Sequence, residues 1–282
     1  MDDRFPEPPP YQSTKCCEFK LVTTKELSKP IRSSGLKSYA LDPIPMLVLM
    51  ACLDLLLLFI TKVVNFSLEH GVVAGDMKED LLKPSLKKAS LNSELFKNYS
   101  PLSNLMCLSK FCEKIVASQF SNHLSENSLH ELFQSAYKTR HNTGSAIIRV
   151  QNDVLHAIDY DRCVILLFLN LLPAFDTAGH EIHLSRLSNC YWIEDTVHKW
   201  FRSYLCDRKQ FVVIENAKSS GRPLTCGVPQ GSVLGSILYL SYTTPLGETM
   251  GHHGISYYMH TDDTQIDLKF KSSVLGDMEL PH

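Results

Sequence analysis

Two adjacent carboxylates, Asp262 and Asp263, lie between short apolar runs in Tyr257-Tyr258-Met259-His260-Thr261-Asp262-Asp263-Thr264-Gln265-Ile266, and they constrain the chain more than any other feature. Such runs around a polar pair predict a β-hairpin with acid at its turn. Side chains alternate along a strand, so one Asp faces a site while its neighbour faces the rim. Two buried like charges repel unless a cation neutralises them, and a divalent metal is the simplest way to keep both ionised. The plain alternative is an exposed turn, where Asp is common.

Upstream, Cys163-Val164-Ile165-Leu166-Leu167-Phe168-Leu169-Asn170 reads as a buried strand running into Leu171-Leu172-Pro173-Ala174-Phe175-Asp176-Thr177. Between strand and hairpin stands Gly227-Val228-Pro229-Gln230-Gly231-Ser232-Val233-Leu234-Gly235. Its first half is a turn, Gly231 allows close backbone approach, and Ser232 can cap a helix with Leu234, Leu238 and Tyr242 along one face. A strand ending in a polar group, a glycine-rich helix start and an Asp-Asp hairpin follow the order of a polymerase palm.

At these residues the chain resembles the reverse transcriptase domain of non-LTR (LINE-type) retrotransposons. Residues 169–177, 227–235 and 260–265 are similar to the family's motifs A, B and C. Asn98 to Ser103 with Ser109 to Val116, and Ser135-Ala136-Tyr137-Lys138 with His141-Asn142-Thr143, are similar to its two fingers blocks. Leu41-Asp42-Pro43-Ile44-Pro45 resembles the segment preceding the domain. The resemblance covers residues 35 to 279 in order and spacing. It implies an α+β fold of the right-hand polymerase type, with fingers and palm and without a thumb.

The resemblance also implies a chemistry: two-metal nucleotidyl transfer, RNA-directed DNA polymerase activity, with RNA template, DNA primer and dNTP as partners and two Mg²⁺ ions as cofactors. Asp262 and Asp263 match the metal-binding pair of motif C, while Asn170 replaces the catalytic Asp of motif A. An amide keeps the shape and one acceptor oxygen but loses the charge that Mg²⁺ favours. Mn²⁺, more tolerant of mixed N/O ligands, is the alternative ion. Phe175 occupies the place of the aromatic under the sugar, and equally suits a core position. Gln230 and Gly231 match residues lining the templating base pair. Lys138 stands where the family usually has Arg, a point charge in place of a fork, and Arg140 follows in the same nucleotide- and template-binding block. Ser100, Gly179, Ser236 and His260-Thr261 stand where the family has Arg, Asp, Pro and Tyr-Ala. These departures, with no endonuclease segment before residue 40 and no thumb or Cys/His knuckle after the palm, give the expectation of a truncated, degenerate copy with impaired catalysis. The other reading is a non-catalytic nucleic-acid-binding remnant or a retroelement fragment without function.

Composition sets wider bounds. The 282 residues suit one two-lobed domain, and the formal charge of −2 carries no global nucleic-acid signature. Residues 81 to 149 nevertheless hold nine Lys/Arg against four Asp/Glu. Lys83, Lys87, Lys88, Lys97, Lys110, Lys114, Lys138, Arg140 and Arg149 give either a phosphate-tracking face or a solvated surface. The nine cysteines form no Cys-x-x-Cys and read as reduced thiols of a cytoplasmic or nuclear protein. His180-Glu181-Ile182-His183 lacks the i, i+4 spacing of a zinc-protease helix. Met1-Asp2-Asp3 is acidic and Pro-rich residues follow, so no signal peptide is expected. Met46 to Ile60 is apolar but short for a bilayer and carries Asp54, which predicts a helix packed on the fingers and no membrane partner.

The expected organisation is a disordered leader over 1–40, a fingers-like helical region with a basic face over 41–158, a palm over 159–272 and a tail over 273–282. Expected elements are a helical pair within 44–69, a loop around Pro84, helices over 105–122, 143–158, 179–189, 195–206 and 232–247, and strands over 162–170, 209–216, 255–260 and 264–270.

Overall fold

In chain order the protein forms α1 (Thr24–Arg32), α2 (Met46–Ala51), α3 (Leu53–His70), β1 (Glu79–Leu86), β2 (Tyr99–Asn104), α4 (Cys107–Glu126), α5 (Thr143–Asp159), β3 (Arg162–Asn170), α6 (Ala174–Thr177), α7 (His180–Tyr191), α8 (Asp195–Leu205), β4 (Arg208–Ile214), β5 (Ala217–Lys218), β6 (Arg222–Leu224), α9 (Gly235–His252), β7 (Ser256–His260) and β8 (Asp263–Lys271). This computed structural model describes residues 14–35, 41–136, 143–170, 174–215, 217–261 and 263–271. They fall into two compact units, each discontinuous in sequence. The smaller comprises residues 130–174 and 242–271, the larger residues 14–129 and 175–241.

The smaller unit is built on an antiparallel sheet of order β3-β8-β7. The apolar run predicted as a strand is β3, paired with β8 along its whole length, from Arg162 opposite Lys271 to Asn170 opposite Asp263. β7 pairs with the other edge of β8, from Ser256 opposite Asp267 to His260 opposite Asp263. Phe133, Met250, Tyr257 and Met259 form its core, with the Phe133 and Tyr257 rings edge to face at 5.1 Å. The segment before α5 is sewn to β7: Met259 N donates to Phe133 O (2.9 Å) and Ser135 N to Met259 O (3.0 Å). A continuous apolar run predicts a strand buried on both sides. Among the described residues β3 is an edge strand, and Ile165 and Phe168 are 47% and 73% exposed.

The larger unit surrounds a core that includes Leu27, Leu53, Phe111, Phe120, Trp200 and Phe201. Full burial of each large apolar side chain contributes about 1.5–3 kcal/mol. Trp200 stacks on Tyr204 (5.3 Å) and donates Nε1–H to Ser67 Oγ (2.9 Å), so its one polar atom is satisfied. α3 ends at Gly71, whose φ of +66° is left-handed, and a Cβ there would lie 2.7 Å from the Thr196 carbonyl oxygen. Glycine is required twice over, for the backbone and for the approach of α8. A sheet of order β2-β1-β4-β5, with β6 also on β4, carries the buried pair Asp80 and Arg208 on neighbouring strands β1 and β4. Arg208 also donates to Tyr204 O (3.1 Å).

Two further expectations change. The leader is not without structure: Thr24–Arg32 is helical, started by a capping box in which Thr23 N donates to Glu26 Oε2 (2.8 Å) and Glu26 N to Thr23 Oγ1 (3.2 Å), and Leu27 and Ile31 are buried. Residues 1–13 and 36–40 lie outside the described residues. The loop around Pro84 is strand β1, where Pro84 stands opposite Pro101 beyond the part of β1 that pairs with β4, so neither ladder needs its missing N–H. The helical pair expected within 44–69 is present as α2 and α3, divided at Cys52, with one face in the core and Leu55 and Phe59 exposed on the other. Among the described residues no helix is long and apolar enough to cross a membrane.

Candidate active site

In the smaller unit the ends of β3 and β8 bring Asn170 and Asp263 together. They are directly opposed in register, and Asn170 Nδ2 donates to Asp263 Oδ1 at 2.9 Å. Both are exposed. On the other side of Asp263 stands His260, its register partner on β7. Residues opposite each other on neighbouring strands point to the same face, so Asn170, Asp263 and His260 form a row across the strand ends. The His260 ring is held by a bond between Nδ1 and Ser135 Oγ (2.9 Å), and Ser135 Oγ also reaches Met259 O (3.2 Å). The hairpin turn contains Thr261 at φ 55°, with its Oγ1 donating to His260 O (2.6 Å). A β-branched residue there costs about 1–3 kcal/mol, strain of the kind that clusters at functional turns. Asp262 lies outside the described residues.

In the larger unit Gln230 and Gly231 form the turn before α9. Gly231 has φ +96°, and a Cβ there would come within 3.2 Å of Ser103 O. Ser103 N donates to Gln230 O (2.9 Å), tying the turn to β2. The Gln230 side chain is oriented too: Nε2 donates to both carboxylate oxygens of Asp176, at 3.0 and 3.2 Å. Ser103, Asp176 and Gln230 line a cleft of about 270 Å³ with Leu82, Gln210, Leu224, Gly227 and Val228. Ser232 caps α9 as its sequence predicts, accepting from Gly235 N (2.9 Å). The helix starts at Gly235 because the three residues before it make the capping turn.

Sequence reasoning missed the anchor of this turn. Glu113 on α4 is fully buried, and its carboxylate accepts from Val233 N (2.6 Å), Leu234 N (3.4 Å) and Ser109 Oγ (3.2 Å). Burial pushes its carboxyl up, against the pull of Arg208 and of those donors. No local signal marks this role, since 120 residues separate Glu113 from Val233.

The remaining candidates are placed as follows. Lys138 and Arg140 lie outside the described residues, and Phe175 belongs to α6 with its side chain outside them. The basic stretch is not one face. Lys114 is drawn inward to Pro30 O (3.1 Å) and Ser34 Oγ (2.6 Å), and Arg149 lies over the Phe133 ring (4.6 Å) in the smaller unit. Lys83, Lys87, Lys88 and Lys97 stay exposed on the β1–β2 hairpin of the larger unit. The histidines of His180-Glu181-Ile182-His183 have structural partners: His180 Nε2 meets Gly227 O (2.9 Å) and His183 Nε2 meets Ser241 Oγ (3.1 Å). Burial holds the His183 imidazole down to about 3, so it is neutral. Glu181 pairs with Arg202 instead (2.9 Å).

A family model described as reverse transcriptase (RNA-dependent DNA polymerase) matches residues 85–279. The chain is 30% identical over 156 residues to a probable RNA-directed DNA polymerase from transposon BS of Drosophila melanogaster, covering 55% of this chain and 17% of that protein. It is 28% identical over 181 residues to the RNA-directed DNA polymerase from mobile element jockey of the same species, covering 62% and 19%. A probable RNA-directed DNA polymerase from transposon X-element, also from that fly, is 31% identical over 146 residues, covering 52% and 16%. The chain thus spans less than a fifth of the length of these relatives.

Proposed function

Because the chain belongs to the reverse transcriptase family of RNA-dependent DNA polymerases, we propose that its β3–β8–β7 sheet is the palm of a LINE-type enzyme, with Asn170, Asp262 and Asp263 at the metal-binding position and catalysis impaired by Asn170. The mixed α/β architecture fits a palm-and-fingers fold. The observation that carries the reading is the register pair Asn170–Asp263 at the ends of β3 and β8, the strands that bear motifs A and C.

Family members use divalent cations, typically Mg²⁺. The donors fit such an ion poorly: among the described residues the strand end offers one carboxylate, Asp263, and one carboxamide, Asn170, bonded to each other. Asp262 adds a second carboxylate by resemblance. When bound, the metal would activate the primer 3′-hydroxyl and neutralise the triphosphate. This chain's residues would hold and orient it. One missing unit charge about 4 Å from an ion weakens attraction by about 4 kcal/mol per unit of ion charge at an effective dielectric of 20. At 1.36 kcal/mol per tenfold, that lowers the rate by on the order of a thousandfold or more.

In the larger unit, Gln230 and Gly231 are assigned to the template and dNTP and Phe175 to the sugar; Lys138 and Arg140, outside the described residues, take the phosphate-facing roles by resemblance to the family. Asp176 takes the Gln230 amide N–H, so Gln230 offers its Oε1 to a partner. The exposed lysines of the β1–β2 hairpin supply the phosphate contacts. A second reading, nucleic-acid binding without catalysis, is favoured by the hydrogen bond that already engages one oxygen of Asp263.

Primer extension on an RNA template decides between them. The native chain is expected to extend poorly with Mg²⁺, and Asn170→Asp to extend better. Robust Mg²⁺-dependent synthesis by the native chain, lost on Asp263→Ala, refutes impairment. Failure of both proteins to extend, with template binding intact, supports the second reading.

A further inference from the structure

The row at the strand ends is not the all-oxygen site that Mg²⁺ prefers. His260 and Asn170 flank Asp263 in register, one on each neighbouring strand. Opposed residues have Cβ atoms about 4.5–5.5 Å apart and share a face, so imidazole, carboxylate and carboxamide project side by side. The imidazole is oriented from behind by Ser135, which is buried and bonds Nδ1. Ser135 Oγ also lies 3.2 Å from Met259 O. With the hydroxyl proton directed at that carbonyl, Nδ1–H donates to Ser135 Oγ and Nε2 presents its lone pair. Fixing one ring nitrogen so that the other is available is how metal-ligating histidines are held.

We propose that His260 Nε2 and the Asp263 carboxylate, joined by the Asn170 amide oxygen after a half-turn of the amide, form a one-ion site that selects borderline cations, Mn²⁺, Co²⁺ or Zn²⁺, over Mg²⁺. The proposal rests on the palm reading for the idea that a cation binds here at all. It adds the ligand His260 and a reversal of selectivity. The physical cause is ligand type. Mg²⁺ demands hard oxygen in near-octahedral geometry and gains little from imidazole, whereas first-row transition ions bind imidazole well. Replacing a carboxylate by Asn170 removes charge that Mg²⁺ needs more than they do, and His260 adds a donor that they use and Mg²⁺ does not. Ser135 is the positioning residue, since it touches the ring and not the ion.

The test uses the full chain and Mn²⁺ itself. Binding is followed by the loss of the free-ion electron paramagnetic resonance signal, and nitrogen ligation by ¹⁴N modulation of the bound ion. Circular dichroism checks that each variant is folded. The native chain is expected to bind one Mn²⁺, to show ¹⁴N modulation, and to resist Mg²⁺ competition at a hundredfold excess. His260→Gln and His260→Tyr should weaken Mn²⁺ by about tenfold or more and abolish the modulation, leaving Mg²⁺ affinity unchanged. Ser135→Ala should weaken Mn²⁺ by about tenfold while retaining modulation, in line with the 10–100-fold effect of losing an outer partner. Mn²⁺ binding that requires Asp263 but is indifferent to His260, without modulation, overturns the proposal and leaves the palm reading standing. Absence of any cation binding that Asp263→Asn removes overturns both.

Discussion

Asn170 donates a hydrogen bond to Asp263 across the end of the β3–β8 pair, at the position where two carboxylates would repel each other. The amide supplies a donor where a second carboxylate would supply a like charge. Stability and metal affinity are therefore opposed at this strand end. A carboxylate at 170 would bind metal better and fold worse without it.

Asn170→Asp is thus expected to destabilise the chain in EDTA by about 1–3 kcal/mol, the cost of a lost hydrogen bond and a new like-charge pair. Added Mg²⁺ or Mn²⁺ should restore much of that loss, because a ligand binding only the native state stabilises it by mass action. Thermal melts of both proteins with EDTA and with metal check this. Equal melting in EDTA would show that the amide contributes nothing to the strand pair.

The buried pair Asp80–Arg208 sets a second expectation. Asp80→Asn leaves the Arg208 guanidinium without its carboxylate in the core of the larger unit and should cost about 3–5 kcal/mol. Replacing both by apolar residues of similar volume should cost much less, because no charge is then stranded. Urea unfolding of the single and double variants measures the difference, and a single variant within 1 kcal/mol of native would contradict it.

Legibility in the sequence followed the range of the interactions. The strand over 162–170, the hairpin around Asp262 and the helices near 180 and 195 were readable because local periodicity decides them, and the structure places them within a few residues of expectation. Pro84 misled, because a proline argues against a strand unless the positions that need an N–H lie elsewhere, which only the β1–β4 register reveals. The leader carried a readable signal, Thr23-x-x-Glu26, outweighed by its polar composition and Pro30. At the site, motif order pointed to Asn170 and Asp263, which the register brings opposite each other, while Asp262 lies outside the described residues. The roles of Glu113, Ser135 and Asp176 were not. Each acts on a partner 54 or more residues away, a distance at which one sequence holds no record of pairing.

Acid stability should report on His183. Burial holds its pKa near 3 in the folded state, below the ordinary 6.5, so the unfolded chain takes up the proton first. A depressed folded value means that this contribution is fully present above about 6.5 and is lost as pH falls toward about 3. The slope is up to about 1.4 kcal/mol per pH unit for one proton. His183→Gln, which keeps a polar partner for Ser241, should flatten the fall between pH 6.5 and 4. Urea titrations of both proteins at pH 7, 5.5 and 4 give the slopes, and identical slopes would remove His183 as a source of acid sensitivity.

The last expectation concerns nucleic acid. Lys83, Lys87, Lys88 and Lys97 are exposed along the β1–β2 hairpin, and Lys87 Nζ reaches Lys97 O (3.1 Å), which fixes the turn between them. Lys114 and Arg149, although counted in the same basic stretch, are engaged by the protein at Pro30 O and over Phe133. If the hairpin lysines contact phosphate, each Lys→Gln change should weaken binding of an RNA–DNA hybrid uniformly across sequences. Each should also reduce the slope of log affinity against log salt by about one. Lys114→Gln should leave that slope unchanged, because its ammonium is already committed. Fluorescence anisotropy at salt concentrations from 50 to 200 mM, on the native chain, Lys83→Gln, Lys88→Gln and Lys114→Gln, separates the two groups. A slope that is flat, or that Lys114→Gln changes as much as Lys88→Gln does, would move the nucleic-acid surface away from the hairpin.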